Sequence, residues 1–256
     1  MMNYIRAEFY KVFHRKYTWI TLVVVLALEA LLVSGYLFIN GHGGFETFYS
    51  GAAMLCVMLS IGFYAAMIIC DMVFASQYKS STLKNEVAFG IPRHRIYLGK
   101  FLTSLVLSLL FLVVMTGFYL ALCWLTLYRD PERDTYIMQV VGYCLATALP
   151  LWIGVLACTN ACLFLIRSEL AASIAAVGVF AVTSPVLELC GAIFIATPAY
   201  PVFQFLHRYM PTVMVDTAYT IAGDWAYCGQ AWIVGAIWLA VFTVIGLLAF
   251  RNKEIK

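Results

Sequence analysis

Charge is scarce in this sequence. Only 11% of the 256 residues are Asp, Glu, Lys or Arg, against about 25% in an average soluble domain. With 64% hydrophobic residues beside it, that scarcity excludes a water-soluble globular domain. A strong excess of one sign is also missing. The net charge is +3, from 16 basic and 13 acidic residues, and most of the basic ones flank apolar runs. No basic, nucleic-acid-binding surface is expected. Catalytic signatures are lacking as well. Gly99-Lys100 is followed by Phe101, and position 94 is His, so the phosphate-binding P-loop pattern is absent. There is no G-x-S-x-G and no H-E-x-x-H. The four histidines, His14, His42, His94 and His207, lack metal-ligand spacing. No catalytic residue and no metal site are expected, and the chain is not read as an enzyme.

What is present is a series of long apolar runs. Six of them, 17–39, 51–74, 101–127, 137–166, 170–196 and 231–250, reach the roughly 18 residues that a membrane span requires. They must be helices, because backbone groups in hydrocarbon have to be satisfied within the segment. They are also too long for the strands of a membrane barrel. The first run starts after 16 residues and has no small-residue cleavage pattern, so it is expected to be retained rather than removed as a signal peptide.

The basic residues orient these spans. Arg6, Lys11, Arg15 and Lys16 precede span one. Lys79, Lys84, Arg93, Arg95 and Lys100 follow span two, Arg167 follows span four, and Arg251, Lys253 and Lys256 end the chain. The other side holds only Arg129, Arg133 and Arg208. Positive charge collects on the cytoplasmic side, so both termini are predicted to lie there. The expected architecture is an all-α integral membrane protein, one transmembrane domain over residues 1–256.

Three connecting segments carry further pattern. In residues 2–16, Met2, Ile5, Phe9, Val12 and Phe13 share one helical face and Glu8, Lys11 and Arg15 the opposite one. That predicts an amphipathic helix in the cytoplasmic interface. In the cytoplasmic loop 75–100, Ser80 or Ser81 suits a helix start, and Gly90 suits the left-handed position past its end. The short helix between them is expected to present Leu83 and Val87 on one face, or to pack that face on its own span ends. Pro92 suits the first turn of the next helix. The outer segment 197–230 is apolar but broken by Pro198, Pro201 and Pro211. Its pieces, 202–210 and 213–222, are too short to cross and are read as re-entrant or interfacial helices.

Small residues mark the packing surfaces. Gly142, Ala146, Pro150, Gly154, Cys158 and Cys162 recur every fourth residue along span four, where Pro150 is expected to kink the helix. Ala171, Ala172, Ala175, Ala176 and Gly178 crowd span five. Small side chains let helices approach closely in lipid. Most of the eight cysteines lie within spans, where they act as small apolar residues. Pairing of Cys190 with Cys228 near the outer face is left open.

Three acids lie inside or near the spans. Glu29 is roughly 16 Å into span one at about 1.5 Å per residue, near mid-bilayer, with only apolar helical neighbours. A charge there costs at least about 2.5 kcal/mol, so such a group faces an interior and is a functional candidate. A protonated Glu29 bonding a neighbouring helix is the structural alternative. Asp71, near the inner end of span two, and Glu188, near the outer end of span five, are read as interfacially solvated.

The stretch Thr82-Leu83-Lys84-Asn85-Glu86-Val87-Ala88-Phe89-Gly90-Ile91-Pro92-Arg93-His94-Arg95-Ile96-Tyr97-Leu98-Gly99-Lys100 resembles a signature of short bacterial ABC type-2 exporter permeases. These carry a G-T-L-K-N … G-I-x-R … I-Y-L-x-K pattern between spans two and three. Glu8-Phe9-Tyr10-Lys11 and the run Arg15-Lys16-Tyr17-Thr18-Trp19 are similar to that family too. Its short members resemble the permeases of bacitracin-resistance and lantibiotic-immunity exporters. Ser81 departs from the usual Gly. Ser76-Gln77-Tyr78 stands where an acidic residue often precedes the aromatic, so that acidic contact is not carried over.

The resemblance implies a multi-pass protein of the bacterial plasma membrane. It implies a second permease subunit, identical or related, and two copies of a separate ABC ATPase that bind the ATP and Mg. This chain would hold no cofactor itself. Thr82, Leu83, Lys84, Asn85, Glu86 and Val87 would form the coupling helix that docks on the ATPase. The substrate would be amphipathic: an antimicrobial peptide, a lipid-linked molecule or a hydrophobic drug. The alternative is an ion-coupled secondary transporter or channel using Glu29. Against it, the sequence shows no pair of interrupted helices in matching halves.

Overall fold

The computed structural model describes residues 2–74, 82–166 and 168–252. Among these the chain forms twelve α-helices and no strand, with one isolated bridge between Thr47 and Tyr128. The capping serines Ser80 and Ser81, and Lys79, Arg167, Lys253 and Lys256 of the charge pattern, lie outside the described residues.

Helix α1 (Met2–Phe13) leads through Arg15 into α2 (Lys16–Gly41), the first span. The second crossing is divided into α3 (Phe48–Met58) and α4 (Ile61–Phe74), which meet at 58°. The short helix α5 (Thr82–Ala88) follows, then α6 (Arg93–Thr126) and α7 (Pro131–Leu165). The fifth crossing is α8 (Glu169–Ala181) continued by α9 (Thr183–Ile193). Short helices α10 (Tyr200–Arg208) and α11 (Pro211–Ala218) precede the last span, α12 (Trp225–Asn252). Among the described residues, five helices are long and apolar enough to cross a membrane, and the bent pair α3–α4 is so when its two halves are taken together.

The break in span two was not anticipated. It falls at Leu59-Ser60, immediately before Ile61-Gly62, where Ser and Gly weaken the helix. Around it the backbone changes to tighter turns, with Leu59 N–H to the Cys56 carbonyl at 3.5 Å and Gly62 N–H to the Leu59 carbonyl at 3.0 Å. Pro150, by contrast, sits inside α7, which runs unbroken from Pro131 to Leu165.

Both ends of the bundle are tied in the order that alternating crossings demand. At one end Arg15 Nη1 donates to the Met72 carbonyl at 2.7 Å, and Arg93 Nη1 donates to the carbonyls of Phe250 (2.8 Å) and Arg251 (2.7 Å). At the other, Phe48 N–H donates to the Tyr128 carbonyl at 2.9 Å and the Tyr143 hydroxyl to the Asp224 carbonyl at 2.8 Å. Helix α1 and the C-terminal end of α12 therefore lie on the same side, the one that carries Arg15, Arg93 and Arg251.

Helix α7 is the axis of the bundle, with 72% of its apolar window buried, against 6% for α2. Its small residues serve α12 more than span five. A Cβ on Gly154 would come within 2.8 Å of Trp238 Cβ, and one on Gly235 would collide with the backbone carbonyl of Pro150. Ala172 and Ala176 of α8 are also fully buried in the core. The stripe does not run the whole helix, because Gly142 is exposed and faces open space. The outer helices leave apolar side chains such as Val23, Leu31, Leu170 and Ile233 exposed, as lipid-facing surfaces do.

Candidate functional site

The loop between spans two and three holds a short helix that ends where Gly90 predicted. Gly90 takes φ +81°, its N–H donates to the Val87 carbonyl at 3.0 Å, and the Ile91 N–H reaches the Glu86 carbonyl at 3.2 Å. These two bonds form a Schellman cap, which satisfies carbonyls the end of α5 would otherwise leave open. Pro92 occupies the N-cap of α6 rather than its first turn.

The faces of α5 differ from the expectation that Leu83 and Val87 would be presented outward. Leu83 is 1% exposed and belongs to the main core, and Val87 packs partly buried against it. The structural alternative, packing on its own span ends, applies to both residues. The outward face consists of Lys84, Asn85, Ala88 and, one residue past the helix, Phe89 at 87% exposure. Thr82 is the first residue of the helix. A bare phenyl ring on a polar rim is unusual for a side chain with neighbouring core to bury in. Only its position just beyond the helix, outside the apolar periodicity, marks it in the sequence.

Glu86, the fifth predicted coupling residue, points inward to a buried charge cluster. Tyr4 Oη donates to Glu86 Oε2 at 3.0 Å, and Lys11 Nζ donates to Glu86 Oε1 at 3.3 Å and to Glu8 Oε1 at 2.7 Å. Lys100 Nζ donates to Glu8 Oε2 at 3.0 Å and lies 5.6 Å above the Phe74 ring. Two carboxylates and two ammonium groups thus chain α1 to α5 and α6. Burial alone would push the Glu8 carboxyl up, but the neighbouring Lys100 and Lys11 outweigh it, so Glu8 titrates below its ordinary range. Burial would lower Lys11, but its bond and charge contact with Glu8, and then Glu86, leave it raised. Burial first, and then the charges of Glu8 and Glu86, hold the Tyr4 phenol protonated.

This cluster corrects the reading of α1 as a simple amphipathic helix. Glu8, assigned to the outward polar face, is 1% exposed. Helix α1 packs on α6 through a polar seam, and a Cβ on Gly99 would meet the Tyr4 ring at 2.6 Å. Val12 is buried on the same side, while Phe9 and Phe13 remain half-buried. The signal was present in α6. Ile96, Tyr97, Lys100, Ser104 and Leu107 follow one helical stripe, so Lys100 had to point inward and needed a counter-charge.

The remaining motif residues hold this end of the bundle together. Arg93 closes the C-terminal carbonyls of α12 and stands 5.7 Å above the Phe250 ring. Tyr97 is fully buried against Phe164, donates to the Phe242 carbonyl at 3.4 Å, and fits only because position 246 is Gly.

The intramembrane acids separate. Glu29 lies midway along α2 and lines a cavity between α2, the α3–α4 break and α6. Asp71 accepts a hydrogen bond from Ser173 Oγ at 3.3 Å, joining α4 to α8 rather than resting in the interface alone. Glu188 is exposed on α9. Cys190 and Cys228 are both free thiols.

The family model described as ABC-2 family transporter protein matches residues 4–184, which span α1 to the start of α9. No curated protein matches the chain.

Proposed function

The chain belongs to the ABC-2 transporter family, as a membrane permease subunit of an ABC transporter, and we propose that it exports an amphipathic substrate with energy from a separate ATPase. The permease has no catalytic role of its own. In this reading two ATPase copies bind ATP and Mg and grip α5, and a second permease subunit, identical or related, completes the pathway in a bacterial plasma membrane. Substrates of the kinds moved by bacitracin-resistance and lantibiotic-immunity exporters, or a lipid-linked molecule or hydrophobic drug, fit the proposal. Membership of the ABC-2 family supports this reading over the ion-coupled alternative.

One observation supports the docking step above all: Phe89 stands 87% exposed at the capped end of α5, beside Lys84 and Asn85. An aromatic anchor with a polar rim is the kind of group that fills a groove on a partner. Leu83, Val87 and Glu86 root the helix in the permease. A push on Phe89 then reaches α6 directly through the cap, and reaches α1 and the first span through Glu86, Lys11 and Glu8.

The test separates these two faces. Phe89→Asp is expected to melt like wild type, yet to lose both its co-purifying ATPase and transport. Leu83→Asp places a charge in the core and is expected to lower the melting temperature itself. If Phe89→Asp retains the ATPase and full transport, the docking assignment is wrong. If the wild type transports in liposomes with no ATPase present, the ATP-driven reading falls.

A further inference from the structure

The cavity beside Glu29 has a volume of about 420 Å³, inside the range of about 300–1,000 Å³ that small-molecule sites take. It is set where span two breaks, with Met58 and Gly62 on either side of the bend. Met54, Met58 and Met115 supply flexible, polarisable walls, and Phe111, Tyr64 and Trp152 supply rings. Leu28 lines the cavity and is also 58% exposed, so the mouth opens sideways toward the bilayer.

Two polar atoms in this apolar chamber are buried and lack a hydrogen-bond partner among the described residues. They are Glu29 Oε2 and Trp152 Nε1. One comes from α2, the least buried of the long apolar helices, and the other from the axial helix. A buried carboxyl oxygen without a donor is costly, and native structures tolerate it where something else binds. The walls hold no Lys, Arg or His that would neutralise the acid. Aromatic faces beside a carboxylate suit a cation with an apolar body.

We propose that this cavity is a binding site for a lipophilic ammonium ion entering from the bilayer, with Glu29 as its counter-ion and the aromatic walls around its apolar body. The site rests on the transport reading only in calling this ligand a substrate class; the binding itself needs no partner. Cation and carboxylate would neutralise each other at mid-bilayer, where either alone is unfavourable. The break in span two gives the chamber its width, and motion transmitted from α5 to α4 and α6 would change it.

The probes are ethidium, a planar lipophilic cation, and pyrene, an uncharged ring system. Both are titrated by fluorescence into the purified permease in detergent, with empty micelles subtracted. Wild type is expected to bind both. Glu29→Gln is expected to weaken ethidium by at least about tenfold, the scale of one lost charge contact, and to leave pyrene unchanged. Met58→Trp fills the chamber without altering charge and is expected to weaken both. Equal ethidium binding by wild type and Glu29→Gln overturns the counter-ion role. No ethidium binding above empty micelles, or none lost in Met58→Trp, overturns the site. The assay contains no ATPase and no transport step. Its failure leaves the permease reading standing, and a failure to find an ATPase leaves this result untouched.

Discussion

Lys100 Nζ lies 3.0 Å from Glu8 Oε2, across 92 positions of sequence, and both side chains are essentially without exposure. The pair fixes where the N-terminal helix sits on the third span, and Lys11 carries the contact on to Glu86 of α5. A buried ion pair is a poor source of net stability but a strict one in its geometry. Removing Glu8 strands the Lys100 charge, at a cost of about 3–5 kcal/mol, whereas removing Lys100 leaves Glu8 paired with Lys11.

That asymmetry is measurable. Glu8→Met is expected to lower the melting temperature of the purified permease clearly, and Lys100→Met by less, because Lys11 still neutralises Glu8. The double variant should recover much of the loss, since neither charge is then left alone. Thermal melts of the four proteins decide it. Single variants that melt like wild type would show the pair to be solvated.

Acid and base should act on the same cluster from opposite sides. Glu8 is held below its ordinary value of 4.5, so its contribution is full above that value and is lost as pH falls through the depressed one. Lys11 is raised above 10.5, so its contribution is full below that value and is lost as pH rises through the raised one. Hydrogen exchange of the α1 amides, taken relative to the intrinsic rate at each pH, should therefore be flat around neutral pH and should rise at acid pH. Glu8→Gln should abolish the acid rise. An acid rise of unchanged size in that variant would move the cause elsewhere.

The small residues of the bundle make unequal predictions. Gly235→Ala drives a methyl into the Pro150 backbone and should cost about 1–3 kcal/mol, as overpacking does. Gly154→Leu should destabilise by the same mechanism, against Trp238. Gly142→Ala meets open space and should be neutral or should stabilise by up to about 1 kcal/mol through helix propensity. Melting temperatures in one detergent rank the three. A Gly142→Ala loss as large as that of Gly235→Ala would mean that the exposed stripe is covered.

Orientation can be read from single cysteines in a Cys-free background. Gly43, Glu132, Asp224 and Lys84 are all exposed, so access to an added thiol is not limited by packing. Positions 43, 132 and 224 should label with an impermeant reagent in whole cells, and position 84 should not. Labelling at 84 in intact cells would invert the topology.

The sequence alone determined the class and its long apolar helices, and it sets the expected direction of the crossings. These follow from composition and from the side on which Lys and Arg collect, quantities that no packing detail alters. It also determined the end of α5, since a glycine at φ +81° is a local requirement. The tertiary structure decided what local pattern leaves open. Periodicity assigns residues to helical faces but not faces to surroundings. Leu83 looked like an exposed knob and is core, while Phe89, outside the periodicity, is the exposed ring. Glu8 looked solvated because its own helix offers no reason to bury it, and the reason sits on another helix, at Lys100. Glu29 was visible as a lone acid from its helix, but the chamber around it needs the bend of span two. The chamber depends on α2, α4 and α6 meeting at the level of that bend, which only the folded chain brings together.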